Sequence, residues 1–284
     1  MLNLAKRNIL IFFRNKNAVF FSFMGVLVVI GLYLLFLGDT YTSNYEGVDG
    51  VREIMDNWVM AGMIAVSSIT TTMGAFGAIV QDREKHLLND MSVSPLKRRS
   101  IAGGYIISSY VIGVIMSVFT FILAEVYIVF NGGELPALKC IIEVLGIILL
   151  GVFSSSAMVF FVVSFFRTSG AFATASTILG TLAGFLTGIY VPVGYLPKGV
   201  QWIVKCFPVT HIAALIKQVM TKNPMEKVFD GAPQQLADTF AADMGIRLSY
   251  GSYTATVPLH LAVLVFTGLM FSSLAVINLS RKEK

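Results

Sequence analysis

Long apolar runs separated by short charged stretches set the pattern of this chain. Residues 18–37 carry no charge and are about long enough to cross a bilayer core, which takes roughly 20 helical residues. Runs of similar character follow from Trp58 to about Val80, Ile101 to Phe130, Cys140 to Phe166, Ala171 to Tyr190 and Val257 to Leu279. The third is long enough to tilt or to extend beyond the bilayer. Trp58 has the character of an interfacial anchor. Six transmembrane helices in an all-α polytopic membrane protein are therefore predicted, as a single transmembrane domain over 1–284.

The connecting stretches are distinct. Asn131-Gly132-Gly133 with Pro136, and Arg167-Thr168-Ser169-Gly170, read as tight turns. Residues 191–256 begin with two short apolar pieces separated by Phe207-Pro208. Neither is long enough to span, which predicts a re-entrant helical hairpin at the outer surface between helices 5 and 6. The remainder is polar, with a short helix from Pro233, a residue suited to helix starts, to Gly245, suited to helix ends. In residues 1–17, Leu2, Ile9, Phe12 and Phe13 alternate with Lys6, Arg7, Arg14 and Lys16. Two readings stand: an N-terminal interfacial helix on the inner leaflet, or a basic flank that orients the first span.

Composition agrees with the pattern. The chain of 284 residues is 56% hydrophobic and 13% charged, about half the charge of an ordinary soluble domain. The start lacks a short apolar core before a small-residue cleavage site, so no removable signal peptide is expected. With both termini cytoplasmic, thirteen of the 21 Lys and Arg fall inside, six of the other eight in the long loop after the fifth span. Loops beyond about 60 residues weigh little in orientation. On that topology the acidic stretch with Asp39, Glu46, Asp49, Glu53 and Asp56 is external, and 81–99 is cytoplasmic. The net charge of +5 is explained by inner loops and calls for no nucleic acid.

Catalytic signatures are missing. Gly is never followed by Lys, so the phosphate-cradling loop G-x-x-x-x-G-K-[ST] is absent. There is no H-E-x-x-H, and His86, His211 and His260 are scattered, which argues against a metal site. G-x-S-x-G is also absent. The chain is expected to bind, gate or conduct and not to be an enzyme by itself.

Two stretches carry a resemblance. Asp82-Arg83-Glu84, Leu87-Leu88, Ser94-Pro95 and Lys97-Arg98-Arg99 make up the first. Gly188-Ile189-Tyr190-Val191-Pro192 with Leu196-Pro197, Trp202 and Phe207-Pro208 make up the second. In order and placement these resemble the cytoplasmic loop and the re-entrant segment of type-2 ABC exporter permeases, the membrane subunits of drug, polysaccharide and antimicrobial-peptide exporters. The resemblance implies a half-transporter in the plasma membrane. It would pair with a second permease copy, as a homodimer, and with a separate cytoplasmic ATPase that binds ATP and Mg. No cofactor would be bound by the chain itself. It also marks Asp82, Arg83, Glu84, Leu87, Leu88, Met91 and Pro95 as the ATPase-coupling segment. The polar segment after Thr221 is larger than the simplest members need.

Helical spacing sharpens these assignments. Glu84, Leu87, Leu88 and Met91 fall on one helical face, an apolar ridge edged by a carboxylate that could meet a basic residue of the ATPase. Arg83 and Lys85 suit inner-leaflet phosphates. In the second span, Ser67, Ser68, Thr70, Thr71, Thr72, Gly74 and Gly77 suit a cavity or helix contact; in the fifth, so do Ser176, Thr177 and the repeat Gly180, Gly184, Gly188. These residues are candidates for the substrate path and dimer seam, with packing inside one subunit as the competing reading. Glu125 and Glu143 are candidate intramembrane charges, placed on the order of 5–8 Å inside the outer boundary, where snorkelling or pairing with Lys139 competes with function. Cys140 and Cys206 both fall on the outer side, where free thiols are the plainer reading than a disulfide. The leading expectation is an exporter of an amphipathic drug, lipid, peptide or glycan. An ATP-independent channel or secondary transporter and a non-transporting membrane sensor are the alternatives.

Overall fold

The computed structural model describes residues 1–33, 35, 50–88, 98–251 and 253–281. The chain is all-α apart from one small hairpin, β1 (Ser249–Tyr250) paired antiparallel with β2 (Tyr253–Thr254). Its long helices are α1 (Leu2–Arg14), α2 (Lys16–Leu32), α3 (Val51–Glu84), α4 (Arg98–Phe130), α5 (Leu138–Val163), α6 (Ser169–Leu186) and α11 (Val257–Arg281). Between α6 and α11 come α7 (Lys198–Lys205), α8 (Pro208–Met220), α9 (Lys222–Val228) and α10 (Gln234–Asp243). Among the described residues, five helices are long and apolar enough to cross a membrane. The total is seven if each of two bent pairs, α1 with α2 and α7 with α8, is one span.

Both bends have local causes. Asn15 closes α1 and caps α2 by accepting the Ala18 amide at 3.1 Å, and the axes turn by 74°. Pro208 opens α8, where its missing N–H costs nothing, and α7 meets α8 at 90°. The two limbs of the second pair differ. In α7, Val200, Trp202 and Ile203 are exposed, whereas α8 is buried throughout from Pro208 to Lys217. Val209, Ile212, Ala213, Ala214, Leu215 and Ile216 make α8 apolar on every side, so it sits inside the bundle against α3, α5 and α11. α8 is therefore the limb of the hairpin that lies within the bundle, and α7 the limb that stays exposed.

The bundle is built around α3, which starts seven residues before Trp58 and is buried over most of its length. Trp58 is not an interfacial anchor; it is fully buried, and its indole N–H donates to the Met244 carbonyl at 2.7 Å. A buried partner for that N–H removes the reason for the ring to sit at a headgroup boundary. The longer helix carries carboxylates at both ends: Glu53 and Asp56, the latter bonded by the Tyr33 hydroxyl at 2.6 Å, and Asp82 and Glu84.

The other helix ends also depart from the predicted ones. The apolar run of the fifth span continues to Tyr190, but α6 stops at Leu186. Gly188 turns left-handed at φ +73°, and the Ile189 amide bonds back to the Gly184 carbonyl at 3.1 Å. This closure takes Gly188 off the helical stripe, so the glycine repeat does not run through all three positions. At the far end of α3, His86 has a positive φ of 60°. The turn there breaks the face predicted to carry Glu84, Leu87, Leu88 and Met91 as one helical ridge; Met91 and Pro95 lie outside the described residues.

The polar segment after Thr221 packs back on the bundle. Met244, Ile246 and Leu248 are buried, and Gln218 donates to the Ile246 carbonyl at 2.8 Å. Gly194 lets that segment approach, since a Cβ there would stand 2.4 Å from the Asp243 backbone. Cys140 and Cys206 are free thiols.

Candidate functional site

A lateral groove of about 830 Å³ lies between α2 and α6, with α3 as its floor. Helical period decides which side of α3 faces it. Ile69, Thr70, Met73, Gly74, Gly77 and Gln81 line the groove at spacings of three and four residues. Ser67, Ser68, Thr71 and Thr72 fall on the opposite face and are buried inside the chain. There Thr120 donates to the Ser67 hydroxyl at 2.9 Å, and the hydroxyls of Ser68 and Ser155 meet at 3.3 Å. From α6, Phe172, Ser176, Thr177, Gly180 and Thr181 form the facing wall, and from α2, Phe21, Ser22, Met24 and Val28. Among the described residues, no charged side chain lines the groove.

Of the residues predicted for a path or seam, the structure brings together Thr70, Gly74, Ser176, Thr177 and Gly180. Ser67 and Thr71 belong to the internal packing face instead. Gly184 is used inside the chain: a Cβ there would stand 2.2 Å from the Tyr190 ring. That ring lines one end of the groove and meets Phe185 edge-on at 5.1 Å.

Charged residues gather at the two ends. At the Gln81 end, the three consecutive residues of the D-R-E run reach different helices. Asp82 accepts two bonds from the Arg7 guanidinium of α1, at 2.7 and 3.2 Å, and one from the Tyr105 hydroxyl of α4 at 2.5 Å. Arg83 donates to the Phe166 carbonyl and, at 3.4 Å, to the Val163 carbonyl, at the C-terminal end of α5. Glu84 accepts from the amide of Ser169, at 3.2 Å, and from its hydroxyl, at the first turn of α6. A cation at a helix C-terminus and an anion at an N-terminus both match the backbone dipole. Leu87 and Leu88 follow as half-buried residues, with Leu88 packed on the core.

At the Tyr190 end lies a residue that the sequence reading passed over. The fully buried Lys217 of α8 donates to the Thr187 carbonyl at 2.8 Å and sits 4.1 Å from the centre of the Trp58 ring. Close by, two histidines that are 49 positions apart in the chain come together, with the Nδ1 atoms of His211 and His260 at 2.8 Å. His211 Nε2 faces the Lys205 carbonyl at 3.0 Å. Among the described residues there is no group of three His, Cys, Asp or Glu arranged to hold a metal ion.

Glu125 and Glu143 share a small pocket of about 140 Å³ with Glu53, Glu134, Lys139 and Lys222. Glu143 is half exposed and pairs with Lys139 one turn away at 3.9 Å. Nearby, the Lys227 ammonium is held protonated above its usual range by the Glu134 carboxylate at 2.9 Å. Arg7, Tyr105 and Lys217 carried no motif. Arg7 was visible only as one of several bases on an amphipathic stretch, and a lone Lys in an otherwise apolar helical run was the signal available for Lys217.

The model of the family described as ABC-2 family transporter protein matches residues 37–277, most of the chain. No curated protein matches it.

Proposed function

The chain belongs to the ABC-2 transporter family, and from that premise we propose that it is the permease subunit of an ATP-driven exporter, energised by a separate ATPase. The observation that carries this reading is the D-R-E run. Its three side chains tie the end of α3 to α1, α4, α5 and α6. A force applied to the segment that follows α3 is therefore delivered to four helices at once, one of which, α6, is a wall of the groove. Leu87, Leu88, Met91 and Pro95 are the proposed seat of the ATPase, while Asp82, Arg83 and Glu84 pass its movement on. The charge bias of the sequence puts this end in the cytoplasm and the Tyr190 end outside.

The groove is the proposed substrate path. Aromatic, Met and aliphatic walls dotted with Ser and Thr hydroxyls suit an amphipathic molecule whose buried portion is uncharged. Its open side lies between α2 and α6, whose lipid-length surfaces expose Phe20, Phe21, Leu27, Ile178 and Leu182. A second copy of the chain, related by two-fold symmetry, would face the same surfaces and close the path from the bilayer.

The test is reconstitution. The chain is purified with a tagged P-loop ATPase and placed in vesicles, and export of a fluorescent amphipathic probe is followed with and without nucleotide. Transport that needs both subunits and hydrolysable ATP is expected. Uphill movement by this chain alone without nucleotide would refute the assignment.

A further inference from the structure

Burying an ammonium without a counter-charge works against folding, yet Lys217 is 0% exposed. Among the described residues it has no ion-pair partner; its contacts are the Thr187 carbonyl and the Trp58 ring. A buried cation of this kind calls for a function other than stability.

Its position supplies one. Thr187 is the C-cap of α6, so the ammonium faces the negative end of that helix's dipole. The other end of α6, at Ser169, faces Glu84. Between these two charges α6 packs on α3 along one side and is otherwise uncovered: 17% of its membrane-length window is buried, against 83% for α3. Its charged contacts lie at its two ends. Directly beyond Thr187 the chain turns at Gly188, where a Cβ would stand 2.9 Å from Val193 and 3.6 Å from the Lys217 nitrogen. Ile189 is then fully buried, and Tyr190 is delivered to the end of the groove.

We propose that Lys217 is a positioning residue, a latch. It holds the outer end of α6 and, through the Gly188 turn, keeps Tyr190 across the groove until the Thr187 carbonyl is released from the ammonium. The latch rests on the reading of the Tyr190 end as the outward one. Its test reads closure of the groove and not cargo, so its failure is separable from failure of the permease reading.

The full chain is prepared with Cys140→Ser, Cys206→Ser and Thr181→Cys, assembled with its ATPase in right-side-out vesicles, and exposed to a membrane-impermeant maleimide without nucleotide. Lys217→Met leaves an unbranched apolar side chain one atom shorter and removes the amine. It is expected to melt no lower than the parent, because a buried charge has gone, and to label at position 181 about tenfold faster, the population shift expected from losing one charge-assisted bond. Gly188→Ala, which forces a side chain into a left-handed turn, is expected to raise labelling as well. Unchanged labelling in Lys217→Met overturns the latch. So does a Lys217→Met chain that fails to fold or melts well below the parent, because the lysine then serves assembly. A rise confined to Gly188→Ala assigns closure to the turn and overturns the role of the lysine. If these variants behave as expected while groove substitutions leave transport untouched, the substrate path falls and the latch stands.

Discussion

Replacing Asp82 by alanine severs the joint on which the proposed transmission depends. The carboxylate accepts three hydrogen bonds, two from Arg7 and one from Tyr105. Its side chain is 9% exposed and that of Arg7 is 36% exposed. Bonds to charged groups contribute about 1.5–3 kcal/mol each, but a guanidinium this exposed turns to water when its partner is removed, which screens much of the loss. The expected cost of Asp82→Ala is therefore about 2–3 kcal/mol, below the 3–5 kcal/mol typical of breaking a fully buried pair. Arg7→Ala is expected to cost about 1–2 kcal/mol, and the double mutant to recover about 1 kcal/mol of the sum, as contacting residues do. Equilibrium unfolding in mixed micelles measures all four corners of the cycle. A second readout is functional: with Leu87 and Leu88 untouched, the assembled ATPase is expected to keep hydrolysing while transport falls. Additivity within about 0.3 kcal/mol, or equal loss of hydrolysis and transport, would refute the reasoning.

Three other outcomes are expected. Gly184→Val should push the Tyr190 ring out of place at a cost of about 1–3 kcal/mol, the usual range for overpacking, and Gly184→Val with Tyr190→Ala should regain most of it in the same unfolding assay. A thiol at Thr177→Cys should react with a small maleimide at least about tenfold faster than one at Thr71→Cys, since the second lies on the buried face of α3 and must wait for local opening; similar rates would sink the division of the two faces. The Lys227–Glu134 pair raises the lysine pKa in the folded state, so its contribution is fully present below the unfolded lysine value and lost as pH rises through the folded one. Melting curves of Lys227→Gln against the parent should differ by a small, constant amount through neutral pH, and the difference should fade above about pH 10.4.

Much of the architecture was legible in the sequence because a bilayer imposes a length on apolar runs. The long apolar helices, the break at Phe207-Pro208 and the short helix after Pro233 all follow from hydropathy and from local chain-breaking residues. What escaped has physical reasons too. The end of α6 was missed because Gly188 fits a helical small-residue stripe and a left-handed cap equally well, and only the bond from Ile189 to Gly184 distinguishes them. Trp58 suited an interface until the Met244 carbonyl, 186 residues later, supplied a partner for its N–H. The division of the hydroxyls of α3 into a groove face and a packing face follows from the 3.6-residue period. The sequence names the two faces, but not which of them meets α4 and α5. Three adjacent charges at Asp82, Arg83 and Glu84 read naturally as a docking surface, and their directions around the helix send them to four neighbouring helices.

The contrast between floor and wall also says where motion belongs. α3 is enclosed by α4, α5 and α8, and close-packed interfaces of this kind shift as units and do not bend. α6 packs mainly on α3 along its length and is held at Ser169 by Glu84 and at Thr187 by Lys217. A helix with one packed side and opposite charges at its two ends can change its tilt by exchanging one end contact and sliding on its main neighbour. The first end contact sits on the segment that an ATPase would move, and the second sits three residues from the ring that lines the end of the groove. Displacing Glu84 would therefore load the Lys217 contact along α6, about 27 Å of helix at 1.5 Å per residue over its 18 residues. That distance is close to the roughly 30 Å thickness of a bilayer core, so a single helix suffices to connect the proposed inner joint to the proposed outer closure.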